Sequence, residues 1–387
     1  MFRVFVMINV AYGLLNLWVL WWFWGALQSN KKLRLFLFPM LAVLAFSFTF
    51  LYRRVGGEGP AVMLLYAGLI WVGGFAYVLL MIWALEIYVF INRKRNNISK
   101  HAEVFKRLRY RSAFVILSIA ALVILIGGLN AAHPILREVD LTIRVNVDDN
   151  KTLPRDTLTV AMVADMHLGR LIPWQRMANA LALLKPHNPH AIFFLGDIID
   201  DYVFVNPYPV ANILSELNPE LGAWAIIGNH EYIAGDVYNS INIFRASGMN
   251  VIRDGWVILD DAFLIVGRDD VSKRRFTGRE RASIPEIIKD VPQVFRQLPM
   301  IILDHNPIRL EEAEGVGAAL QLSGHTHNGQ ILPINLITNK IYENPYGHSV
   351  RGNTHYFVTQ GTGVWGPPVR TTGRSEIVLL RLRFVPQ

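Results

Sequence analysis

Residues Leu320–Gln330 read LQLSGHTHNGQ, an apolar run that ends in a glycine and two histidines separated by one residue. The apolar part is typical of a buried strand, and His325 and His327 follow its carboxyl end. A histidine at a strand end is usually an ordinary hydrogen-bonded residue, so this stretch on its own does not establish a ligand site. Its function depends on which side chains the neighbouring strands place at the same edge.

The C-terminal two thirds of the chain predict an α/β domain. From about His133, short β-rich runs alternate with Gly, Pro, Asn and Asp. A helix predicted at Pro173–Lys185 lies between two buried strands, as a β-α-β crossover requires. A hairpin is predicted at Trp256–Gly267, with its turn at Asp260–Asp261. The predicted strands are Leu141–Val147, Leu158–Asp165, Ala191–Asp197, Ala223–Asn229, Met300–His305, Leu320–His325 and Glu376–Phe384.

Seven polar residues at or just after the ends of buried strands form the candidate metal site. Open α/β sheets place their ligand sites at the carboxyl ends of strands, so these side chains are expected to converge. Taken one at a time, the Asp and Asn residues could simply form turns. Together, the buried carboxylates and imidazoles would lack partners without a cation. The residues are Asp165, His167, Asp197, Asn229, His305, His325 and His327.

The donor atoms of this set are oxygen and nitrogen, which suits Mn²⁺, Fe or Zn²⁺ rather than copper or an iron–sulfur cluster. Seven ligands exceed the number that one tetrahedral ion takes, so two ions are expected. Two-metal hydrolases hold their ions about 3.5–4 Å apart and clamp the attacking and leaving oxygens of phosphoryl transfer. We expect an extended backbone at the Asp-x-His and His-x-His positions to direct both side chains of each pair to one face.

The N-terminal third predicts four membrane-spanning helices. Each of four apolar runs is long enough to cross a bilayer, and the polar stripe of a helix buried in a soluble core is missing. The first run is too long for a signal peptide and lacks a small-residue cleavage site. Glu86, near the end of the third run, is expected to pair with an arginine at the interface. The runs are about Val4–Leu27, Leu35–Leu51, Val62–Ile91 and Ala113–Asn130.

Charge predicts the orientation of these helices in the cytoplasmic membrane. Eleven basic residues lie in the loops after the first and third runs, against Arg3, Arg53, Arg54 and Arg137 on the opposite side. Because basic loops stay in the cytoplasm, the C-terminal domain is predicted to face the periplasm or the cell exterior. Residues 1–132 carry a net charge of +11 and the remainder −3. This distribution indicates a topology signal and contact with anionic lipid, and it argues against nucleic-acid binding.

Five ordered sequence blocks resemble those of the calcineurin-like metallophosphoesterases. The resemblance extends from about residue 155 to the C-terminus and is closest to the membrane-associated bacterial branch that includes the YkuE- and YaeI-like phosphodiesterases. Every ligand position of the family pattern is kept, and five blocks in order are far more specific than one. The blocks are ADMHLG (Ala164–Gly169), GDIID (Gly196–Asp200), GNHE (Gly228–Glu231), DHNP (Asp304–Pro307) and GHTHNGQ (Gly324–Gln330).

The resemblance implies a role for each residue of the site. Asp197 occupies the position whose carboxylate bridges two metal ions. His230 resembles the family's histidine that meets the scissile phosphate and protonates the leaving oxygen, and Asp200 is expected to orient a neighbouring side chain. Two sets of three residues match the ligands of the two ions: Asp165, His167 and His327 for the first, and Asn229, His305 and His325 for the second.

The expected architecture is an all-α transmembrane domain of four helices at residues 1–132, followed by an α/β metallophosphoesterase domain at residues 133–387. The resemblance implies that this second domain is a two-sheet αββα sandwich. The expected activity is hydrolysis of a phosphomonoester, phosphodiester or pyrophosphate with two ions, Mn²⁺ in the first place and Zn²⁺ or Fe as alternatives. A catalytically silent metal-binding scaffold and a regulator of the chain's own membrane domain remain as alternatives.

Four spans place such an enzyme among membrane lipids and suggest a phosphorylated, lipid-linked or amphipathic substrate, although tethering alone would need only one span. Two stretches are candidates for contacts beside the site. The basic stretch SKRRFTGRER (Ser272–Arg281) could meet lipid phosphates, although a solvated loop is the commoner meaning of such a run. The Gly/Pro-rich stretch QGTGVWGPPVR (Gln360–Arg370) is expected to form a rim loop near the site or near lipid.

Overall fold

The structure is a computed structural model that describes residues 2–51, 59–95, 102–145, 155–201 and 206–386. Two groups of residues used in the sequence predictions lie outside these ranges. They are the end of the strand predicted at Leu141–Val147 and the basic residues Arg53, Arg54 and Lys100.

The N-terminal third contains four long apolar helices, as predicted. Each is long and apolar enough to cross a bilayer, and most of its surface is not covered by the other helices. The fourth begins well before the predicted apolar run because the polar segment that precedes it is also helical. The helices are α1 (Phe2–Ala26), α2 (Lys31–Leu51), α3 (Pro60–Arg95) and α4 (Ala102–Ala132).

The early start of α4 places a partner beside Glu86 of α3. Arg109 pairs with the Glu86 carboxylate through two of its nitrogens, and Trp22 of α1 donates its indole N–H to the same group at 2.7 Å. The expectation of an arginine-paired Glu86 is therefore confirmed. A second polar contact lies deeper, where the Trp71 indole donates to the buried Asn16 amide at 2.8 Å. Such contacts satisfy polar groups that lipid cannot.

The remainder of the chain forms two mixed six-stranded sheets. In the first sheet the strand order is β1-β12-β2-β3-β4-β5, and in the second it is β10-β11-β9-β8-β7-β6. The strands are β1 (Ile135–Val145), β2 (Thr157–Val163), β3 (Ala191–Leu195), β4 (Ala223–Ile226), β5 (Asn250–Val251), β6 (Gly255–Leu259), β7 (Phe263–Gly267), β8 (Met300–Leu303), β9 (Leu320–Ser323), β10 (Gly347–Arg351), β11 (Thr354–Val358) and β12 (Glu376–Pro386).

Short helices connect these strands. The helix predicted at Pro173–Lys185 is present as α5 followed by a turn of 3₁₀ helix at Ala182–Leu184. The α-helices are α5 (Trp174–Leu181), α6 (Tyr208–Leu217), α7 (Asn229–Ile233), α8 (Val237–Ala246), α9 (Lys273–Thr277), α10 (Ile284–Ile288), α11 (Leu310–Gly315) and α12 (Asn335–Ile341).

The layers of this domain follow from how the apolar side chains alternate along the strands. Phe193 of β3 and Ile301 of β8 share the cluster between the two sheets. The next residue of β3, Phe194, faces the opposite way and joins a cluster with α5, α6 and α8. Ile302 of β8 likewise joins a cluster with α10 and α11. Both sheets are buried on two faces, so the predicted αββα sandwich is confirmed.

The hairpin predicted at Trp256–Gly267 is also confirmed. The predicted hairpin consists of β6 and β7, and its turn residues Asp260 and Asp261 have φ angles of 55° and 48°, as a tight hairpin turn requires. By compactness the chain divides into residues Met1–Leu129 with Gly366–Val369, and Asn130–Trp365 with Arg370–Gln387. The domain boundary expected at residue 132 falls in the last turn of α4 and stays a prediction.

Candidate metal centre

The parallel strands at the centre of each sheet deliver the predicted ligands to one place. β2, β3 and β4 run parallel in the first sheet, and β7, β8 and β9 run parallel in the second. Their carboxyl ends therefore meet at the same edge of the sandwich. The side chains that follow these ends are Asp165 and His167 after β2, Asp197 after β3, Asn229 after β4, His305 after β8, and His325 and His327 after β9.

The backbone is left-handed rather than extended at five of these seven positions. The φ angles are 55° at Asp165, 54° at His167, 52° at Asp197, 71° at His325 and 49° at His327. We predicted that an extended backbone would align the side chains of the Asp-x-His and His-x-His pairs. The predicted extended backbone was therefore wrong. The chain turns sharply after each strand, and the turn directs the side chains inward. Asp and His tolerate this conformation better than β-branched residues do, but it still strains the backbone.

Glycines allow the backbone to approach the two carboxylates. A Cβ at Gly228 would lie 2.2 Å from Asp197 Oδ1, and one at Gly324 would lie 2.5 Å from Asp165 Oδ2. Both distances are shorter than any contact between non-bonded atoms, so a side chain at either position would displace the carboxylate. The close approach of the carboxylates therefore explains why glycine occupies these positions in the GNHE and GHTHNGQ blocks.

Three donors form the first group of the centre. His167 Nε2 lies 2.9 Å from His327 Nε2, and His327 Nε2 lies 3.6 Å from Asp165 Oδ1. One ligand atom from each residue lies within 4.8 Å of the others, and all three residues are buried. Two ring nitrogens and a carboxylate that point at one another fit a divalent cation, which takes neutral imidazole and ionised carboxylate as ligands.

The second group lies around Asp197. His305 Nε2 is 3.1 Å from Asp197 Oδ2 and 3.2 Å from Asn229 Oδ1, and His325 Nδ1 is 3.2 Å from the same His305 nitrogen. His305 donates its Nδ1 proton to the Leu195 carbonyl at 2.7 Å. This bond leaves Nε2 as the atom that faces the centre. Because Asp197 also forms a group with His167 and His230, its carboxylate lies between both sets of donors.

His230 and Asp200 adjoin these two groups. Asp200 Oδ1 lies 2.8 Å from His230 Nδ1 and 2.6 Å from His167 Nδ1, so one carboxylate oxygen fixes both imidazole rings. The backbone N–H of His230 donates to Asp197 Oδ1 at 2.7 Å. The structure therefore brings together every residue predicted for the site, including Asp200, the least certain of them from sequence.

Comparison with known proteins agrees with this geometry. Residues 158–329 match the family model described as calcineurin-like phosphoesterase. The chain carries a calcineurin-like phosphoesterase domain. A transmembrane protein with metallophosphoesterase domain from Danio rerio is 26% identical over 325 residues, which cover 79% of this chain and 71% of the relative. An uncharacterized metallophosphoesterase from Aquifex aeolicus is 29% identical over 67% of this chain and 98% of its own length.

A third relative is the uncharacterized metallophosphoesterase YkuE of Bacillus subtilis, 29% identical over 59% of this chain and 80% of its own length. The family uses a dimetal centre, and the two His/Asp groups of this phosphoesterase domain supply donors suited to one. The four apolar helices and the transmembrane relative support a membrane protein. Together these findings support a metal-dependent phosphoesterase.

Burial and neighbouring charges shift the pKa values of the imidazoles in the phosphoesterase site in different directions. Burial lowers the pKa of His325 to about 3. Burial and the neighbouring His167 ring hold the pKa of His327 well below its usual value. Both rings are therefore neutral at pH 7, the form that binds cations. For His230 burial acts in the same direction, but the Asp197 and Asp200 carboxylates outweigh it and raise the pKa to about 9.

Glu231 is a structural residue of the site that the sequence analysis did not single out. Its side chain is fully buried, and its two oxygens accept four backbone N–H groups. The donors are Asp197 and Gly228 at 3.0 and 2.8 Å, and Ile198 and Ile199 at 2.7 and 3.0 Å. Glu231 therefore holds the loop that carries the shared carboxylate against the loop that carries Asn229 and His230.

Replacing Glu231 with glutamine is expected to destabilise the domain strongly. The amide keeps one acceptor oxygen and presents an NH₂ group to two of the four N–H donors, each of which would lose a buried partner at a cost of about 1–3 kcal/mol. Thermal unfolding of the solubilised chain should show a fall in Tm. The matched control is Glu216→Gln, which changes a half-exposed carboxylate paired with Lys185 and should leave Tm nearly unchanged. Equal Tm values for the two variants would contradict this role.

Arg370 is a second structural residue that the sequence analysis did not single out. It is fully buried and donates to the His327 carbonyl at 3.0 Å and to the Gly363 carbonyl at 2.7 Å. The Gly363 N–H in turn donates to the Asp165 carbonyl at 3.0 Å. The Trp365 ring lies 6.1 Å from the His230 ring. Residues 360–365 of the predicted rim loop therefore do lie beside the site.

Proposed function

We propose that this chain is a membrane-bound dimetal phosphoesterase that hydrolyses a phosphoester or pyrophosphate bond of a lipid-linked or amphipathic substrate at the outer face of the cytoplasmic membrane. The observation that carries the proposal is the position of Asp197. Its carboxylate lies between two buried groups of O and N donors, and its Oδ1 accepts the backbone N–H of His230.

The donors divide into two sets that share one carboxylate. We assign Asp165, His167 and His327 to one cation and Asn229, His305 and His325 to the other, with Asp197 common to both. Divalent cations bound there would polarise the phosphoryl oxygens and activate water as the nucleophile. The donor set suits Mn²⁺, with Zn²⁺ and Fe as alternatives.

His230 is the residue that we assign to the leaving group. Asp200 holds its Nδ1 at 2.8 Å and, with Asp197, raises its pKa to about 9. Without bound cations the ring is therefore protonated at neutral pH, and Nε2 is the atom that can protonate a leaving oxygen. In the proposed reaction the oxygen of water bonds to phosphorus and one water proton is released to solvent. The bond to the leaving oxygen breaks, the His230 proton is transferred to that oxygen, and the ring then regains a proton from solvent. No phosphorylated residue is required.

The substrate class follows from the membrane attachment. Only His133 and Pro134 separate α4 from β1, so the domain follows a membrane helix without a linker. An enzyme attached in this way meets phosphoesters of the bilayer at high local concentration. With Mn²⁺ loaded, kcat/KM for a lipid phosphoester in mixed micelles should exceed that for its short-chain, water-soluble analogue with the same leaving group by at least about tenfold. Equal values would reject a lipid substrate while leaving the phosphoesterase in place.

The outer-face location rests on the basic loops of the predicted topology. The chain has no cysteine, so a single Val294→Cys on the exposed 3₁₀ turn Gln293–Phe295 can report the side of the membrane. A membrane-impermeant maleimide should label this cysteine in intact spheroplasts before lysis. Labelling that requires lysis would place the domain in the cytoplasm instead.

A further inference from the structure

We propose that residues 331–341 form a membrane-inserting segment that dips into the lipid surface beside the metal centre. Five large apolar side chains of this segment are between 42% and 67% exposed: Leu332, Ile334, Leu336, Ile337 and Ile341. They lie within ten positions of the chain, and Ile337 and Ile341 are one turn apart on the same short helix. Such a group of exposed apolar side chains on a folded domain marks a partner or a membrane contact.

Both ends of the segment are held by the site. At its start, the Gln330 amide donates to the Trp365 carbonyl and accepts from the Trp365 N–H, both at 2.9 Å. At its end, the Tyr342 ring lies 6.0 Å from the His325 ring. Because Trp365 also lies against His230, the apolar segment is attached directly to the loops that carry the ligands and the proposed acid.

The chemistry of the segment favours lipid over a protein partner. Residues 330–342, QILPINLITNKIY, contain no acidic side chain, and the one charged residue is Lys340. In α12, Leu336, Ile337, Asn339, Lys340 and Ile341 are exposed, whereas Thr338 is buried. Apolar residues beside a lysine on one exposed surface are the pattern of helices that lie at the boundary between headgroups and acyl chains. Lys340 can meet lipid phosphates there.

The rest of the chain supports the bilayer as the occupant. Four helices of the same chain can cross a membrane, so the domain would always be close to lipid. The basic stretch Ser272–Arg281 is a weaker candidate for lipid contact, because Lys273, Arg274 and Arg281 pair with Asp254, Glu280 and Asp304. If the proposed function holds, the inserted segment would place the phosphate of a lipid substrate near the metal centre. The acyl chains of that substrate would stay in the bilayer.

Insertion can be measured without turnover. Leu336→Cys and Ile341→Cys, each the single cysteine of the chain, would be labelled with an environment-sensitive fluorophore. The full chain would be placed in nanodiscs of phosphatidylcholine and phosphatidylglycerol, with and without nitroxide-labelled phosphatidylcholine. Val294→Cys, at a side chain that is 66% exposed, is the matched control. We expect the nitroxide to quench emission by roughly half at 336 and 341 and little at 294.

Three outcomes would overturn the proposal. Quenching at 336 and 341 as weak as at 294 would show that the segment stays in water. Equal and strong quenching at all three positions would show that no particular face meets lipid. Cross-linking of Leu336→Cys between two chains would make the surface a contact between copies. An active enzyme with unquenched labels would leave the proposed function standing, so the two failures are distinguishable.

Discussion

Replacing Asp197 with alanine is expected to remove both metal ions and to lower kcat/KM by at least about a thousandfold. Among the described residues, the Asp197 carboxylate forms one cluster with His167 and His230 and another with His305 and His325, and its Oδ2 lies 3.1 Å from His305 Nε2. Without it, each cation would lose a negatively charged ligand, and no carboxylate would screen the repulsion between the two cations. Metal content by mass spectrometry and hydrolysis of bis-p-nitrophenyl phosphate would be measured on the same preparation.

The control for this variant is Glu216→Ala, which removes a carboxylate from the surface ion pair with Lys185. It should keep two ions per chain and ordinary activity. Thermal unfolding of both variants separates loss of metal from loss of the fold. An Asp197→Ala protein that keeps two ions, or that keeps its activity, would show that the carboxylate does not bridge.

Replacing His230 with alanine is expected to lower kcat by about 10²–10⁴ while metal content stays near two ions per chain. We assign the residue to neither cation, although it lies beside Asp197 and His167, because its Nδ1 is paired with Asp200 at 2.8 Å. The loss should be larger for alkyl phosphoesters than for p-nitrophenyl esters, because a p-nitrophenolate leaves without a proton. A role in structure alone would reduce both substrate classes equally.

The pH dependence of the activity tests the role of His230 independently. The acid must be protonated to act, so activity should fall as pH rises through the pKa of His230, which the surrounding carboxylates raise to about 9. Bound cations add positive charge and would move this limb to lower pH. His230→Ala should lose the limb altogether. A variant that keeps the same alkaline limb would assign the limb to another group.

Much of the fold and the site was predictable from local patterns. Apolar runs ending in Asp, Asn or His marked β2, β3, β4, β8 and β9, because a parallel strand buried on both faces is almost continuously apolar. The same strand ends carried the ligands, so predicting the strands also located the candidate centre. The β10–β11 hairpin was missed because its alternation is weak, with Gly347, His348 and Ser349 opening it.

The contacts that hold the site in place were less predictable. Glu231 stands inside a quoted block, but an acidic residue in the first turn of a helix is common and does not reveal four buried N–H partners. Arg370 reaches His327 across more than forty positions of sequence, so no spacing pattern connects them. The left-handed turn at Asp165 lies close to Gly361, Gly363 and Gly324, and only the packed structure specifies this close approach.

The central claim, a phosphoesterase that needs two metal ions, is tested most directly by stripping the purified chain with a chelator and reloading it with Mn²⁺. Bound metal and hydrolysis of bis-p-nitrophenyl phosphate would be followed together during the titration. We predict that the stripped chain is inactive and that full activity returns at two ions per chain. Activity in the stripped chain, or full activity with one ion, would contradict the proposed centre.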